Sequence, residues 1–228
     1  MNVALILAGG SGNRFGGEVP KQYLTVCGRM IVEYVIEAAV QAKTVDRVVV
    51  AATPPYTYLQ DAQKQCGFAL TPAGETRNGT IRLGLDYIRS HWDCEKLVVI
   101  DSARPLTTSG LIDLLMDKLD QYDAAIQARR INDSLGRYGQ RDVNRQEYYI
   151  VQTPEAFRFD VFCRHFREED NATCLLNHLP PNPNAFLYFD FINNLKMTYP
   201  DDLDFLTYML SRCKDVGGAG SQLLPPKL

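Results

Sequence analysis

The chain has 228 residues, 46% of them hydrophobic and 22% charged, which is enough apolar material for one sizeable domain core. Its formal net charge of -3 leaves no excess of positive charge, so an extended nucleic-acid footprint is excluded and any bound anion is expected to be small and locally gripped. Three scattered histidines and six cysteines without a C-x-x-C pair argue against structural zinc, and the thiols read as reduced core residues of a cytoplasmic protein.

The first apolar run, Val3 to Leu7, lacks a basic flank and stops at glycine, which predicts a buried strand and not a leader. Ile31, Tyr34, Val35, Ala38 and Ala39 recur at helical spacing, and Arg47 to Ala51 is a second buried strand. Ile81, Leu83, Leu85 and Ile88 suggest another helix less cleanly, before a strand at Leu97 to Ile100 and a helix from Ser109 to Leu119. Short apolar runs alternating with helical segments predict an α/β domain with a mostly parallel sheet, since strands covered on both faces lose the two-residue alternation.

Beyond Ala124-Ala125-Ile126 the pattern changes. Residues Arg129 to Tyr149 are polar, charged and poor in large aliphatics, which predicts an extended arm or hairpin that cannot bury itself in its own domain. A helix at Asp160 to Glu168, a loop at Pro180 to Asn184, a strand at Leu195 to Thr198 and an amphipathic helix from Pro200 to Leu210 complete the reading, with a frayed tail from Gly217. No stretch reaches the roughly 18 apolar residues of a membrane span, and no membrane partner is expected.

The chemistry concentrates at Leu7-Ala8-Gly9-Gly10-Ser11-Gly12-Asn13-Arg14, a glycine-rich turn leaving the first strand, followed by Pro20-Lys21-Gln22. Glycines admit a phosphate chain close to backbone N–H groups, and Arg14 and Lys21 supply the charge a triphosphate requires. The same glycines also suit a plain βα turn; the two nearby cations favour the phosphate site. Asp101 ends an apolar strand, where open α/β sheets place ligands, and reads either as a ligand-orienting or magnesium-binding carboxylate or as a turn residue. Lys196 by itself reads as an edge lysine facing water, and Arg145 stands in a segment dense in surface charge.

The first motif closely resembles that of the cytidylyltransferases acting on 2-C-methyl-D-erythritol 4-phosphate and on ribitol 5-phosphate. The match continues in order through Gly74-Glu75-Thr76-Arg77-Asn78-Gly79-Thr80, Asp101-Ser102-Ala103-Arg104-Pro105, Gln152-Thr153-Pro154-Glu155-Ala156-Phe157 and Asn194-Leu195-Lys196. The resemblance implies a Rossmann-like three-layer sandwich with a twisted, mostly parallel sheet and a protruding β-arm at about 129 to 149 that makes a homodimer. It implies that Ala8, Gly9, Gly10, Arg77 and Thr80 bind CTP, that Arg14, Lys21, Asp101 and Lys196 are catalytic, and that magnesium arrives with the nucleotide and uses Asp101. It places Arg104, Ser134, Arg145 and Thr153 at the polyol phosphate acceptor. Ile100 stands where relatives carry histidine, and residues 171 to 190 lack their acidic pattern, so no role is carried over from that segment. The glycine turn and the Asp101 block lean slightly toward the ribitol 5-phosphate branch. A nucleotide-binding paralogue without turnover and a sugar-1-phosphate nucleotidyltransferase are the alternatives.

Overall fold

The computed structural model describes residues 1–10, 15, 19–139, 143–170, 172–191 and 193–215, with side chains described as far as residue 212. The elements in chain order are β1 (Asn2–Ala8), β2 (Thr25–Val26), β3 (Arg29–Met30), α1 (Ile31–Gln41), β4 (Arg47–Ala52), α2 (Gln60–Cys66), β5 (Ala69–Pro72) and α3 (Arg77–His91). They continue with β6 (Lys96–Asp101), α4 (Ser109–Lys118), β7 (Ala124–Arg130), β8 (Tyr149–Arg158), α5 (Phe159–His165), β9 (Ala185–Tyr188) and α6 (Asp202–Asp215). Among the described residues no helix is long and apolar enough to cross a membrane.

Seven strands form one sheet in the order β5-β4-β1-β6-β8-β7-β9, and β2 and β3 form a separate small ribbon. Every neighbouring pair in the large sheet is parallel except those of β8, which runs antiparallel to both β6 and β7. The apolar runs arise because both faces of the sheet are covered. Ala4, Ile6, Val50 and Val98 point into a core shared with Val35 and Ile36 of α1 and Ile112 and Leu115 of α4. Val3, Leu5, Val49 and Leu97 point the other way, against Ile81, Leu85 and Ile88 of α3 and Phe162 of α5. The result is the expected three-layer α/β sandwich with a mostly parallel sheet.

Several elements differ from expectation. The strand expected at Leu195 to Thr198 is an irregular crossing segment, held where the Met197 N–H donates to the Ala103 carbonyl at 2.8 Å. The helix expected to reach Glu168 ends at His165, and α3 starts four residues before Ile81, because Thr76 caps it by accepting from the Gly79 N–H at 2.9 Å. Strand β9 is not expected from the sequence, and its Phe186 packs against the α1 and α4 side of the core. The 129 to 149 arm is the long connection between β7 and β8, whose last pair is Arg130 with Tyr149. Its only regular helical piece among the described residues is a 3-10 turn at Arg145–Glu147. The tail from Gly217 lies outside the described residues.

One contact sets how closely α3 approaches the sheet: a Cβ built on Gly84 would fall 2.6 Å from Leu5 Cδ2 and 2.7 Å from Leu5 Cδ1. Leu5 is fully buried and has nowhere to retreat. Gly84→Val is therefore expected to lose about 1–3 kcal/mol by overpacking, despite replacing a poor helix former. The shift in urea midpoint measures it, and an unchanged midpoint would show that the helix can slide.

Candidate active site

Asp101 is the last residue of β6, placed at the carboxyl end of the parallel strands. The β6–β8 ladder reaches only to Val99 opposite Glu155. Between Ile126 and Gln127 the β7–β8 register shifts, putting Thr153 and Pro154 in a bulge of β8. The bulge turns the Thr153 hydroxyl onto the Asp101 N–H, which donates to it at 3.0 Å and fixes the backbone beneath the carboxylate.

Three cations converge on that carboxylate. Lys196 Nζ donates to Oδ2 at 2.7 Å, Arg77 Nε lies 3.6 Å from Oδ1, and Arg104 Nε lies 3.8 Å from Oδ2. Burial alone would raise the Asp101 pKa, but the pull of Lys196, then Arg77 and Arg104, holds it well below the usual carboxylate range. Arg104 is also buried, and its Nη1 donates to the Asn194 carbonyl at 2.6 Å. Asn194 organises this corner: its Nδ2 donates to Gln127 Oε1 and to the Thr153 carbonyl, each at 2.6 Å.

Two clefts open on either side of Asp101, and Arg77, Asp101 and Lys196 line both. The first, of about 650 Å³, runs along Gly9, Gly10, Lys21, Arg77 and Thr80. A Cβ on Gly9 would sit 2.1 Å from the Ala73 Cβ, so only glycine lets the turn lie against the loop before α3. Gln22, which the sequence reading passed over, ties that turn down: its Nε2 donates to the Ala8 carbonyl at 2.8 Å and to the Gly10 carbonyl at 2.9 Å. Lys21 enters from the neighbouring 3-10 turn and donates to the Met197 carbonyl at 2.6 Å. Ala8 itself is buried. The Thr80 hydroxyl donates to the Thr76 carbonyl at 2.9 Å and accepts from the Gly74 N–H at 3.1 Å, shaping the loop at the N-terminus of α3. Arg14 lies outside the described residues.

The second cleft, of about 630 Å³, is walled by Arg104, Tyr148, Tyr149, Glu155 and Cys174. Glu155 is a second residue missed from sequence; nothing in a polar Gln-Thr-Pro-Glu run marks it as a central-strand residue with 1% exposure. Thr153 is buried and its hydroxyl serves Asp101, while Ser134 and Arg145 lie exposed on the arm and line neither cleft of their own chain. Arg145 Nη1 donates to the Asn132 carbonyl within the arm.

Magnesium can be weighed against this donor set. Oδ2 of Asp101 is taken by Lys196, whereas the nearest cation to Oδ1 is beyond hydrogen-bond length, and among the described residues no group of three His, Cys, Asp or Glu could hold a metal. One carboxylate oxygen facing a cleft suits an ion whose other ligands are phosphate oxygens and waters.

The sequence model of the 2-C-methyl-D-erythritol 4-phosphate cytidylyltransferases (IspD) matches residues 2–180. The chain belongs to this family. It is thus a CTP-dependent cytidylyltransferase, as the resemblance implied. The 2-C-methyl-D-erythritol 4-phosphate cytidylyltransferase of Thermotoga neapolitana is 32% identical over 174 residues, covering 74% of this chain and 78% of that protein. A protein of the same name from Clostridium botulinum is 26% identical and covers 89% and 94%. Among solved structures, 4-diphosphocytidyl-2C-methyl-D-erythritol synthase from Anaerococcus prevotii superposes with a TM-score of 0.79 at 21% identity, covering 92% of this chain and 96% of that one, which supports the fold. The Thermus thermophilus enzyme gives 0.71 at 25% identity, covering 93% and 100%. None of these relatives is named for ribitol 5-phosphate, so the lean toward that branch finds no support.

Glu155 carries a pH signature. Burial pushes its carboxyl up to about 7 against the opposing pull of Arg77, from an ordinary value of 4.5. Below about pH 4.5 it is protonated in folded and unfolded chains alike; as pH rises through 7 the folded chain must ionise a buried group, and stability is lost. Glu155→Gln is expected to flatten the fall in unfolding free energy between pH 5 and pH 8 by at most about 3 kcal/mol. Urea titrations at both pH values measure this, and an unaltered pH dependence would contradict it.

Proposed function

We propose that the chain transfers CMP from CTP to the phosphate of 2-C-methyl-D-erythritol 4-phosphate and releases pyrophosphate. The observation that carries this reading is the pair of clefts sharing Arg77, Asp101 and Lys196, room for a nucleotide and a small phosphate to meet at one carboxylate. CTP occupies the glycine-walled cleft, its base and ribose end against Gly9, Gly10 and Thr80 and its triphosphate toward Lys21 and Arg77; Ala8 and Arg14 are assigned to it by the family resemblance alone. The acceptor lies in the second cleft, with its phosphate near Lys196 and Arg104.

The acceptor phosphate oxygen attacks the α-phosphorus in line, and the bond to the β-phosphate oxygen breaks. No side-chain nucleophile is used, and positioning supplies much of the rate. Negative charge grows on the α-phosphate oxygens and on the departing pyrophosphate, so fixed cations stabilise the transition state more than the ground state. Asp101 keeps Lys196, Arg77 and Arg104 in place without neutralising them all. Magnesium carried by the triphosphate would add further charge neutralisation, with Asp101 as its protein ligand.

With magnesium and CTP, kcat/KM is expected to be highest for 2-C-methyl-D-erythritol 4-phosphate among that acceptor, ribitol 5-phosphate and glycerol phosphate. Equal or faster turnover of ribitol 5-phosphate would overturn the acceptor assignment. Lys21→Ala should lower kcat/KM about 10²–10³-fold with little change in urea midpoint, and excess chelator should stop turnover without unfolding the protein.

The arm supports a homodimer in which one subunit completes the acceptor site of the other. Tyr138 is fully exposed, and neither Ser134 nor Arg145 lines either of the two clefts at Asp101 of its own chain. Mixing Arg145→Ala and Lys21→Ala subunits should restore activity through one site carrying neither lesion. Confirmed subunit exchange without recovery would place Arg145 in its own subunit's site or in none.

A further inference from the structure

The wall between the two clefts is a row of alternating charge running from Asp101 through Arg77 to Glu155. Glu155 lies in the middle of the sheet, opposite Val99 on β6 and Ile126 on β7. Its Oε1 lies 3.8 Å from Arg77 Nη2, and its Oε2 accepts from the Leu175 N–H at 2.9 Å. Arg77 is held on two other sides, by Asp101 Oδ1 and by the Thr173 carbonyl, to which Nη1 donates at 3.3 Å. One buried carboxyl therefore grips both a guanidinium that faces both clefts and the chain segment that walls the second. An apolar residue between Val99 and Ile126 would avoid the cost of burying charge, so the carboxyl is explained by what it holds and not by packing.

We propose that Glu155 is a positioning residue for the transfer, fixing Arg77 and the 173–175 segment so that the acceptor is presented to the α-phosphate while Glu155 itself touches neither substrate. The inference rests on the acceptor reading above. It predicts that the ionised carboxylate, which attracts Arg77, is the working form. The other groups facing Glu155 are Asp101 at the end of β6, Arg104 three residues beyond it, Tyr149 on β8 and the Cys174 thiol, whose Sγ lies 3.9 Å from Oε2. Asp101 stays ionised, burial pushes Cys174 up to about 11 and raises Tyr149, and a guanidinium keeps its charge. The group in this wall that changes charge near pH 7 is Glu155.

The test is kcat/KM for 2-C-methyl-D-erythritol 4-phosphate between pH 6 and pH 8.5 in the wild type, Glu155→Gln and Arg77→Met. Glutamine keeps the size and an acceptor for Leu175 but cannot ionise. The acceptor's own phosphate titrates in this range, so the ratio of wild type to variant is the readout. For Glu155→Gln the ratio should rise from about 1 at pH 6 to about 10 at pH 8. Arg77→Met, at a partly exposed position, should lose the wild-type pH step because the residue through which Glu155 acts is gone. It also carries the test if Glu155→Gln does not fold. A ratio that is flat with pH, or a pH step that survives Arg77→Met, overturns the positioning role while leaving the function standing. A wild type inactive on this acceptor overturns both.

Discussion

A buried carboxylate must be compensated, and the compensation of Asp101 organises the catalytic end of this molecule. Lys196, Arg77 and Arg104 come from three different parts of the chain, and each is aimed by its attraction to the same group. Lys196 is on a crossing segment and Arg77 on the first turn of α3, so neither would hold a defined direction without a partner. The arrangement leaves net positive charge where two phosphate-bearing substrates would meet, and that charge is in place before either substrate arrives. Preorganisation of this kind is what makes fixed charge effective in catalysis, because no reorganisation is required during the chemical step.

The sheet supports that carboxylate through a fault in its own regularity. A continuous β6–β8 ladder would have satisfied the Asp101 backbone with a carbonyl; the bulge substitutes the Thr153 hydroxyl. Freed from the ladder, the end of β8 joins a buried polar network in which Gln127 Nε2 donates to Gln152 Oε1 at 2.8 Å and Asn194 links both neighbouring strands. These groups lie at 0–8% exposure, where an unpaired amide would cost more than its bond contributes, so the network holds the crossing segment in one place and Lys196 with it. The same bulge separates Thr153 from Glu155, which remains in the ladder and faces Arg77.

By itself the sequence determined the three central parallel strands, the helices beside them and the glycine-rich turn that walls the first cleft. Strands covered on both faces must be apolar throughout, so β1, β4 and β6 were visible as runs, and the close approach of Gly9 to Ala73 demands a residue type that shows in the sequence. The Asp101 block was legible for a related reason: a charged residue ending an apolar strand stands out. What only the tertiary structure decided are contacts whose partners are far apart in the chain. Glu155 stood in a recognised block but had no role of its own, because its partners, Arg77 and Leu175, are 78 residues before it and 20 after it. Lys196 looked like part of a strand because its neighbours have strand composition, yet the segment is held by isolated bonds with Ala103, Asp101 and Lys21 and, among the described residues, by no strand ladder. Buried polar groups are set by satisfaction through distant partners, and local periodicity carries no record of where those partners lie.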